Sequence, residues 1–210
     1  MPSSVNASVD AQSAARPAVP ALRTGLQGVL DRFIGPGATP AEIFVQFVPS
    51  VLAAIAAYAY AVSLPTAWTP WQLGLIVIFG FDLAGGVLTN ATNAAKRWYH
   101  RPGQGWRQHL SFVAIHLLHI GLVALFFRSG DWLFFGGVSA YLLGAAGVIL
   151  WVPLYLQRPV ALGLYGLALI GDRYLFVPTP GLEWFLSLFF LKLLVSHLLS
   201  EKPYDPSSKG

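Results

Sequence analysis

The chain has 210 residues, of which 55% are hydrophobic and only 10% are charged, with a net charge of +4. A soluble domain carries about 25% charged residues, so this composition argues against a soluble fold. The absence of cysteine excludes disulfides, a thiolate nucleophile and cysteine-ligated metal sites. No run of five or six basic residues occurs, so we predict membrane lipids, and not nucleic acid, as the surroundings of the chain.

Two short segments precede the strongly apolar part of the sequence. Residues 1–20 are rich in Ser, Ala and Pro, contain few large apolar side chains and are predicted to be disordered. Residues 21–35 carry Arg23, Gln27 and Arg32 on one helical face. The opposite face is apolar and consists of Leu22, Leu26, Val29, Leu30, Phe33 and Ile34. This pattern predicts an amphipathic helix that lies on the membrane surface.

The rest of the chain, up to about residue 200, consists of apolar blocks of roughly 20 residues, the length that crosses a bilayer core. They predict an all-α, polytopic integral membrane bundle of about six transmembrane helices over residues 40–200, followed by a polar tail at 201–210. The predicted spans are 40–64, 71–95, 108–127, 132–156, 160–177 and 182–199. Asp172 and Arg173 could end the fifth span early.

Local signals support this division into helices. Thr39, Pro40 and Glu42 fit the N-cap, N1 and N3 positions of a capping box at the start of the first span. Small residues at four-residue spacing predict close helix packing in the second and fourth spans. These residues are Gly80 and Ala84, and Gly136, Ala140 and Gly144.

The distribution of basic residues predicts the orientation. With six spans and the N-terminus inside, ten Lys and Arg residues lie inside, two lie outside, and Lys192 falls within the sixth span. Because basic residues accumulate on the cytoplasmic side of membrane proteins, we predict that both termini are cytoplasmic. The expected location is a bacterial plasma membrane, the inner membrane of the cell.

The second predicted span carries a polar stripe. Steps of four and three residues place Asp82, Gly86, Thr89, Asn93, Lys96 and His100 on one helix face, with Asn90 beside it. An aspartate near the centre of a span costs at least about 2.5 to 3.5 kcal/mol on insertion scales. Asp82 is therefore expected to face other helices or a wet cavity, with a partner or in its neutral form. By the same reasoning, an apolar replacement of Asp82 should be tolerated, because it removes this cost.

The third span supplies a matching face, because His109, His116 and His119 fall within an arc of about 80°. The depth of each residue in the membrane can be counted at about 1.5 Å per residue from the inner surface, and three residues of the second span then lie at the depths of three residues of the third. These depths pair Asn93 with His109, Asn90 with His116 at roughly 10 Å depth, and Asp82 with His119 near the middle. Lys192 lies deep enough in the sixth span to pair with Asp82. The hairpin is thus predicted to build a polar ladder through the inner half of the membrane.

Concentrated ionisable groups inside a membrane indicate a function, and the candidate site residues are Asp82, His116, His119, Asn90 and Asn93. One hypothesis is an enzyme that transfers protons on a lipid or isoprenoid-like substrate reached from the inner leaflet. The alternatives are a small proton- or cation-coupled transporter and a non-catalytic protein whose polar ladder is structural. We favour the enzyme, because the outer half of the bundle is almost wholly apolar.

A cofactor is not identified by the sequence. Asp82, His116 and His119 could bind a metal ion, but two histidines three residues apart are a weak signal. The chain has five histidines, too few for the eight-histidine di-iron pattern of membrane desaturases. We therefore place a metal site below metal-free proton transfer, and the oligomeric state is left open.

Overall fold

A computed structural model describes residues 19–201, and the regular structure within that range is entirely helical. The predicted disorder of residues 1–20 and the polar tail at 201–210 lie outside the described residues, apart from residues 19, 20 and 201. The α-helices are α1 Gly25–Ile34, α2 Pro40–Ser63, α3 Pro70–Ala91, α4 Asn93–Tyr99, α5 Trp106–Ile115, α6 Leu117–Phe126, α7 Trp132–Trp151, α8 Leu154–Leu175 and α9 Phe185–Phe190. A π-helix, π1, follows directly at Leu191–His197.

Five helical stretches among the described residues are long and apolar enough to cross a membrane: α2, α3, α5 with α6, α7, and α8. They confirm the predicted all-α helical membrane bundle. The segment predicted as the sixth span consists of α9, with six residues, and π1, with seven. It is shorter than the other five, so the sixth crossing stays a prediction. Asp172 and Arg173 lie within α8 and do not end it early.

The first two long helices begin where their sequences favour a start. Thr39 accepts a hydrogen bond from the Glu42 amide, and the Glu42 carboxylate accepts one from the Thr39 amide at 2.8 Å. This is the predicted capping box, and Pro40 at N1 has no amide hydrogen that would need a partner. Thr69 and Gln72 form the same box at the start of α3.

Three predicted spans are interrupted. The fourth was predicted to reach residue 156, but α7 ends at Trp151 because Val152 is extended, and α8 begins at Leu154. The second predicted span continued to residue 95, but α3 ends at Ala91 because Thr92 is extended, with φ −72° and ψ 153°. Thr92 then caps α4 by accepting a hydrogen bond from the Ala95 amide. The third predicted span breaks at His116. There the His116 amide donates a hydrogen bond to the Val113 carbonyl oxygen, and the His119 amide donates one to the His116 carbonyl oxygen. Such three-residue turns are tighter than the α-helical ones on either side.

Small residues bring α2 and α3 into close contact, as predicted. A methyl group on Gly80 would lie 3.0 Å from the Ala57 Cβ atom and 3.1 Å from the Ala53 carbonyl oxygen. Gly136 and Gly144 on α7 have no neighbour within 4 Å of such a methyl among the described residues. The prediction of close packing is therefore confirmed for α3 and is wrong for α7 within this part of the chain.

The short helix α1 lies within the range predicted for the amphipathic helix. Arg23 donates hydrogen bonds to the buried Asp31 carboxylate and holds the pKa of that group below its usual range. The Tyr99 hydroxyl lies 3.1 Å from the carbonyl oxygens of both Arg32 and Phe33, and so ties α4 to α1. The apolar side of α1, including Phe33, is exposed on the bundle. The position of α1 on a membrane surface stays a prediction.

Candidate functional site

Asp82 on α3 is the centre of the polar cluster. Its Oδ2 atom accepts a hydrogen bond from Lys192 Nζ at 2.7 Å and lies 3.0 Å from His119 Nε2. The predicted approaches of His119 and Lys192 to Asp82 are therefore confirmed. The Lys192 side chain is 4% exposed and that of Asp82 is 39% exposed. The ammonium group is thus enclosed by the protein, while the carboxylate faces a cavity.

Lys192 reaches Asp82 because Gly86 leaves space on α3. A methyl group on Gly86 would lie 2.3 Å from Lys192 Cε and 2.5 Å from Cδ, much closer than non-bonded carbon atoms allow. Lys192 also lies on π1, whose hydrogen-bonding pattern is rare in proteins and is frequent at functional sites. The ion pair therefore depends on a glycine on one helix and an unusual backbone on the other.

His116 and His119, at the interruption between α5 and α6, lie side by side. Their rings are stacked with centroids 5.1 Å apart and an angle of 17° between the planes. His116 Nδ1 lies 2.7 Å from the Phe112 carbonyl oxygen. A carbonyl oxygen only accepts, so Nδ1 donates, which leaves Nε2 of a neutral His116 ring as an acceptor. His119 Nε2 donates to Asp82 by the same reasoning. Each neutral ring therefore keeps one lone pair, on Nε2 of His116 and on Nδ1 of His119, and the His119 atom is buried without a partner among the described residues.

A cavity of about 510 Å³ lies next to this cluster, within the size range of small-molecule sites. Its wall combines residues of α1, the first half of α2, the second half of α3, and α5, and we call this end of the bundle the α1 end. Phe33, Phe81 and Ile115 line the cavity and are also exposed on the outside of the bundle. The cavity therefore reaches the outer surface along this apolar side. The polar side chains of the wall include Gln46, Ser50, Asp82, Thr89, Asn90, Tyr99, His116 and Lys192.

The structure brings most of the predicted site residues together. Asp82, Asn90 and His116 line the cavity, and His119 supports Asp82 from behind. Asn93 does not belong to the cavity wall within the described chain, because the break at Thr92 ends the helix face that it was predicted to share with Asp82. Its place in the site stays a prediction.

Sequence reasoning missed the contribution of α2 to the cavity. Gln46 and Ser50 are four residues apart on an otherwise apolar stretch and both line the wall. Their spacing puts them on one helix face, and this was the signal that could have revealed them. Tyr99 was also missed, because nothing in the basic loop around it distinguishes it. Burial raises the pKa of Tyr99 to about 12, so its phenol is uncharged.

A second polar cluster lies nearer the α1 end and involves the remaining histidines. His109 Nδ1 lies 3.2 Å from His197 Nε2, and His100 Nε2 lies 3.0 Å from the His197 carbonyl oxygen. Lys96 donates hydrogen bonds to two carbonyl oxygens at the end of the described chain, and burial lowers its pKa to about 8. This cluster ties α4 and α5 to the end of π1.

An aromatic ring separates the two polar clusters. Phe112 stacks on His197 with centroids 3.8 Å apart and contacts His116 on its other side at 4.7 Å. The polar ladder predicted from the sequence is therefore two clusters with a phenyl ring between them. The cluster around Asp82 faces the cavity and is the candidate functional site.

Apolar rings also close the site on the side away from the α1 end. His119 packs against Phe79 and Phe189, with ring centroids 5.7 and 6.3 Å away. Phe79 in turn contacts Phe185 at 5.2 Å, and all three phenylalanines are buried. The polar groups thus end against a compact aromatic layer.

Within residues 19–201, no group of three or more His, Asp or Glu side chains is arranged so that it could hold a metal ion. Comparisons with protein-family models, with curated proteins and with solved structures give no match to this chain. Its function must therefore be argued from the geometry of its own residues.

Proposed function

We propose that this protein is a membrane-embedded enzyme that acts on a lipid or isoprenoid-like substrate in the cavity beside Asp82. One observation carries the proposal: an Asp–Lys–His cluster lies at the wall of an otherwise apolar cavity that reaches the outside of the bundle. A hydrophobic molecule could enter this cavity from the lipid and place a polar group against the cluster. Ionisable residues at membrane depth indicate function by default.

The proposed chemistry is proton transfer. His116 lines the cavity and has a free lone pair on Nε2, so it is the group that would accept a proton from the substrate and return it. Asp82 and His119 act as positioning residues, since their hydrogen bond fixes the imidazole that stacks on His116. Asn90 would hold the polar group of the substrate. Asn93 lies outside the cavity and has no role in this proposal.

The aromatic layer favours an enzyme over a transporter. A coupled transporter needs a path for protons or cations that continues to the opposite side of the membrane. Phe79, Phe185 and Phe189 fill the space beyond His119 in this conformation. Transport is therefore the alternative that the lipid-conversion experiment tests.

We also propose that the α1 end faces the cytoplasm of a bacterial cell. Basic residues are concentrated at this end, in the short helices α1 and α4, in the loop after α4 and at the start of α5, and they include Arg32, Lys96, Arg97, Arg101 and Arg107. Such an excess is typical of cytoplasmic loops. The cavity would then be reached from the inner leaflet.

The proposal can be tested before the substrate is identified. Wild-type protein, His116→Ala and Asp82→Asn are placed in nanodiscs made from a total lipid extract of the expressing cells and incubated in D₂O. Untargeted mass spectrometry then follows every lipid species. The wild type should convert or deuterate at least one lipid species, and neither variant should do so. His100→Ala, outside the cavity, is the matched control and should behave like the wild type.

Two results would overturn the proposal. One is a lipid profile that the wild type leaves unchanged. The other is conversion that His116→Ala retains in full. Proton flux into proteoliposomes that Asp82→Asn abolishes, without lipid conversion, would establish the transporter instead.

A further inference from the structure

Gln46 is a buried amide that has no hydrogen-bond partner among the described residues. Its side chain is in the cavity wall, the residue is 2% exposed, and both Nε2 and Oε1 are unpaired. Ser50, one turn further along α2, gives its hydroxyl hydrogen to the Gln46 main-chain oxygen, which leaves the Gln46 side chain without that partner. A buried polar group without a partner costs about 1 to 3 kcal/mol, so a ligand that pairs with Gln46 recovers this loss.

The amide sets a condition on the ligand. Because Gln46 offers both a donor and an acceptor, its partner must accept one hydrogen bond and donate another. A hydroxyl group does both with a single atom. Asn90, also buried, presents a second amide in the same wall, on α3. Two amides on neighbouring helices therefore define a place for a small polar group.

The charges of the wall exclude an anionic group. Lys192 is the cationic lysine in the wall, and its ammonium is already bonded to Asp82 at 2.7 Å. Tyr99 is uncharged, as argued above. A phosphate or carboxylate in this cavity would find no unpaired lysine or arginine among the described residues of the wall and would lie close to the Asp82 carboxylate. Burying such an anion without a partner is strongly unfavourable.

The remaining wall is apolar and suits a hydrocarbon chain. Phe33, Phe81 and Ile115 follow the side on which the cavity reaches the outer surface. A chain lying along these residues would extend from the cavity into the surrounding lipid. The polar group of the ligand would then lie at the inner end of the cavity, against the wall that contains His116.

We propose that this cavity binds an uncharged long-chain or isoprenoid alcohol, with its hydroxyl group between Gln46 and Asn90 and its chain along Phe33, Phe81 and Ile115. The inference rests on the proposed function, because it names the class of substrate for the same site. It goes further in assigning recognition to Gln46, a residue outside the ionisable cluster.

The test measures binding of three probes that share one chain. Farnesol, farnesoic acid and farnesyl phosphate are each titrated into the detergent-purified full chain, and the dissociation constant is obtained by calorimetry. Farnesol should bind at least about tenfold more tightly than either anion. Gln46→Leu should weaken farnesol binding about tenfold, the effect of losing about 1.4 kcal/mol of hydrogen bonding.

The matched control is Gln27→Leu, the same change on the exposed side of α1, which should leave binding unaltered. Gln46→Leu removes an unpaired buried amide, so its thermal unfolding should match or exceed that of the wild type, which separates lost recognition from lost folding. Equal or tighter binding of an anion, or an unchanged affinity in Gln46→Leu, would overturn the inference.

Together with the lipid-conversion experiment, the binding test can overturn the alcohol site and the enzyme separately. Conversion of a lipid by the wild type without farnesol binding would overturn the alcohol site alone. Farnesol binding that depends on Gln46, in a protein that converts no lipid, would support the site and overturn the enzyme.

Discussion

Replacing Asp82 with leucine should strongly destabilise the protein, contrary to what the sequence alone suggests. An isolated aspartate in a span is costly, so its removal was expected to be tolerated. The structure pairs Asp82 with Lys192, whose side chain is 4% exposed. Asp82→Leu therefore leaves a buried ammonium without its carboxylate. Removing one member of a buried ion pair costs about 3 to 5 kcal/mol.

The exposure of the two side chains predicts an asymmetry. Lys192→Met leaves a carboxylate that faces the cavity and keeps its hydrogen bond with His119. Its cost should be nearer the value of one hydrogen bond, about 1 kcal/mol. The double variant Asp82→Leu with Lys192→Met removes both charges and should lie close to the wild type, because replacing a whole buried pair with apolar groups is often neutral.

The order of stabilities is measurable by steric trapping in bicelles, or by unfolding in mixed micelles with tryptophan fluorescence as the signal. We expect wild type and double variant to be similar, Lys192→Met to be slightly weaker, and Asp82→Leu to be weakest by about 3 kcal/mol. The reasoning is refuted if Asp82→Leu is as stable as Lys192→Met, or if the second substitution fails to rescue it.

Three further predictions use the same protein preparation or the cells that express it. The chain has no native cysteine, so a cysteine at Ser129 should react with an impermeant thiol reagent on intact cells, and one at Gly105 only after permeabilisation; the reverse pattern contradicts the orientation. Gly86→Ala should cost about 1 to 3 kcal/mol, because a methyl there overlaps the lysine side chain that crosses α3, whereas Gly74→Ala, with nothing within 4 Å, should not destabilise; equal effects would refute the contact. Elemental analysis of purified protein should find no stoichiometric zinc, iron or manganese, because no three ligands converge within residues 19–201; a metal that is lost in His116→Ala would reverse this expectation.

The centre of the site was predictable because a helical hairpin has simple geometry. Each residue advances about 1.5 Å along its helix, so depth can be counted from the connecting loop. This counting matched Asp82 with His119, which are 3.0 Å apart, and Asn90 with His116, which line one cavity. Apolar block lengths likewise identified the long helices, and a capping box at Thr39 identified the start of the first one.

The interruptions of the helices were not predictable from local sequence. No proline or glycine lies next to His116 to mark the short-range hydrogen bonds there. Thr92 is a favourable N-cap, but the sequence also allowed a helix that continued past it. Extending that helix placed Asn93 on the face of Asp82, whereas the break at Thr92 puts it at the start of α4.

The cavity could not be read from the sequence because its wall joins helices that are far apart in the chain. Gln46 and Lys192 both contribute to it, from α2 and from π1. Gln46 shares a helix face with Ser50, but this spacing does not tell whether the face meets a cavity or another helix. Its significance appears only when the helix positions leave its amide buried and unpaired.

The energetics also bear on whether the polar cluster only holds the helices together. Side-chain hydrogen bonds between membrane helices contribute about 0.6 kcal/mol each on average, whereas a charge placed at the centre of a span costs about 2.5 to 3.5 kcal/mol on insertion scales. As purely structural contacts, Asp82 and Lys192 would therefore stabilise the bundle no more than apolar residues in their places. The fold also keeps a glycine at position 86 and an uncommon π-helical turn around Lys192. Features that are unfavourable locally and that meet at one cavity are more readily explained by function than by stability.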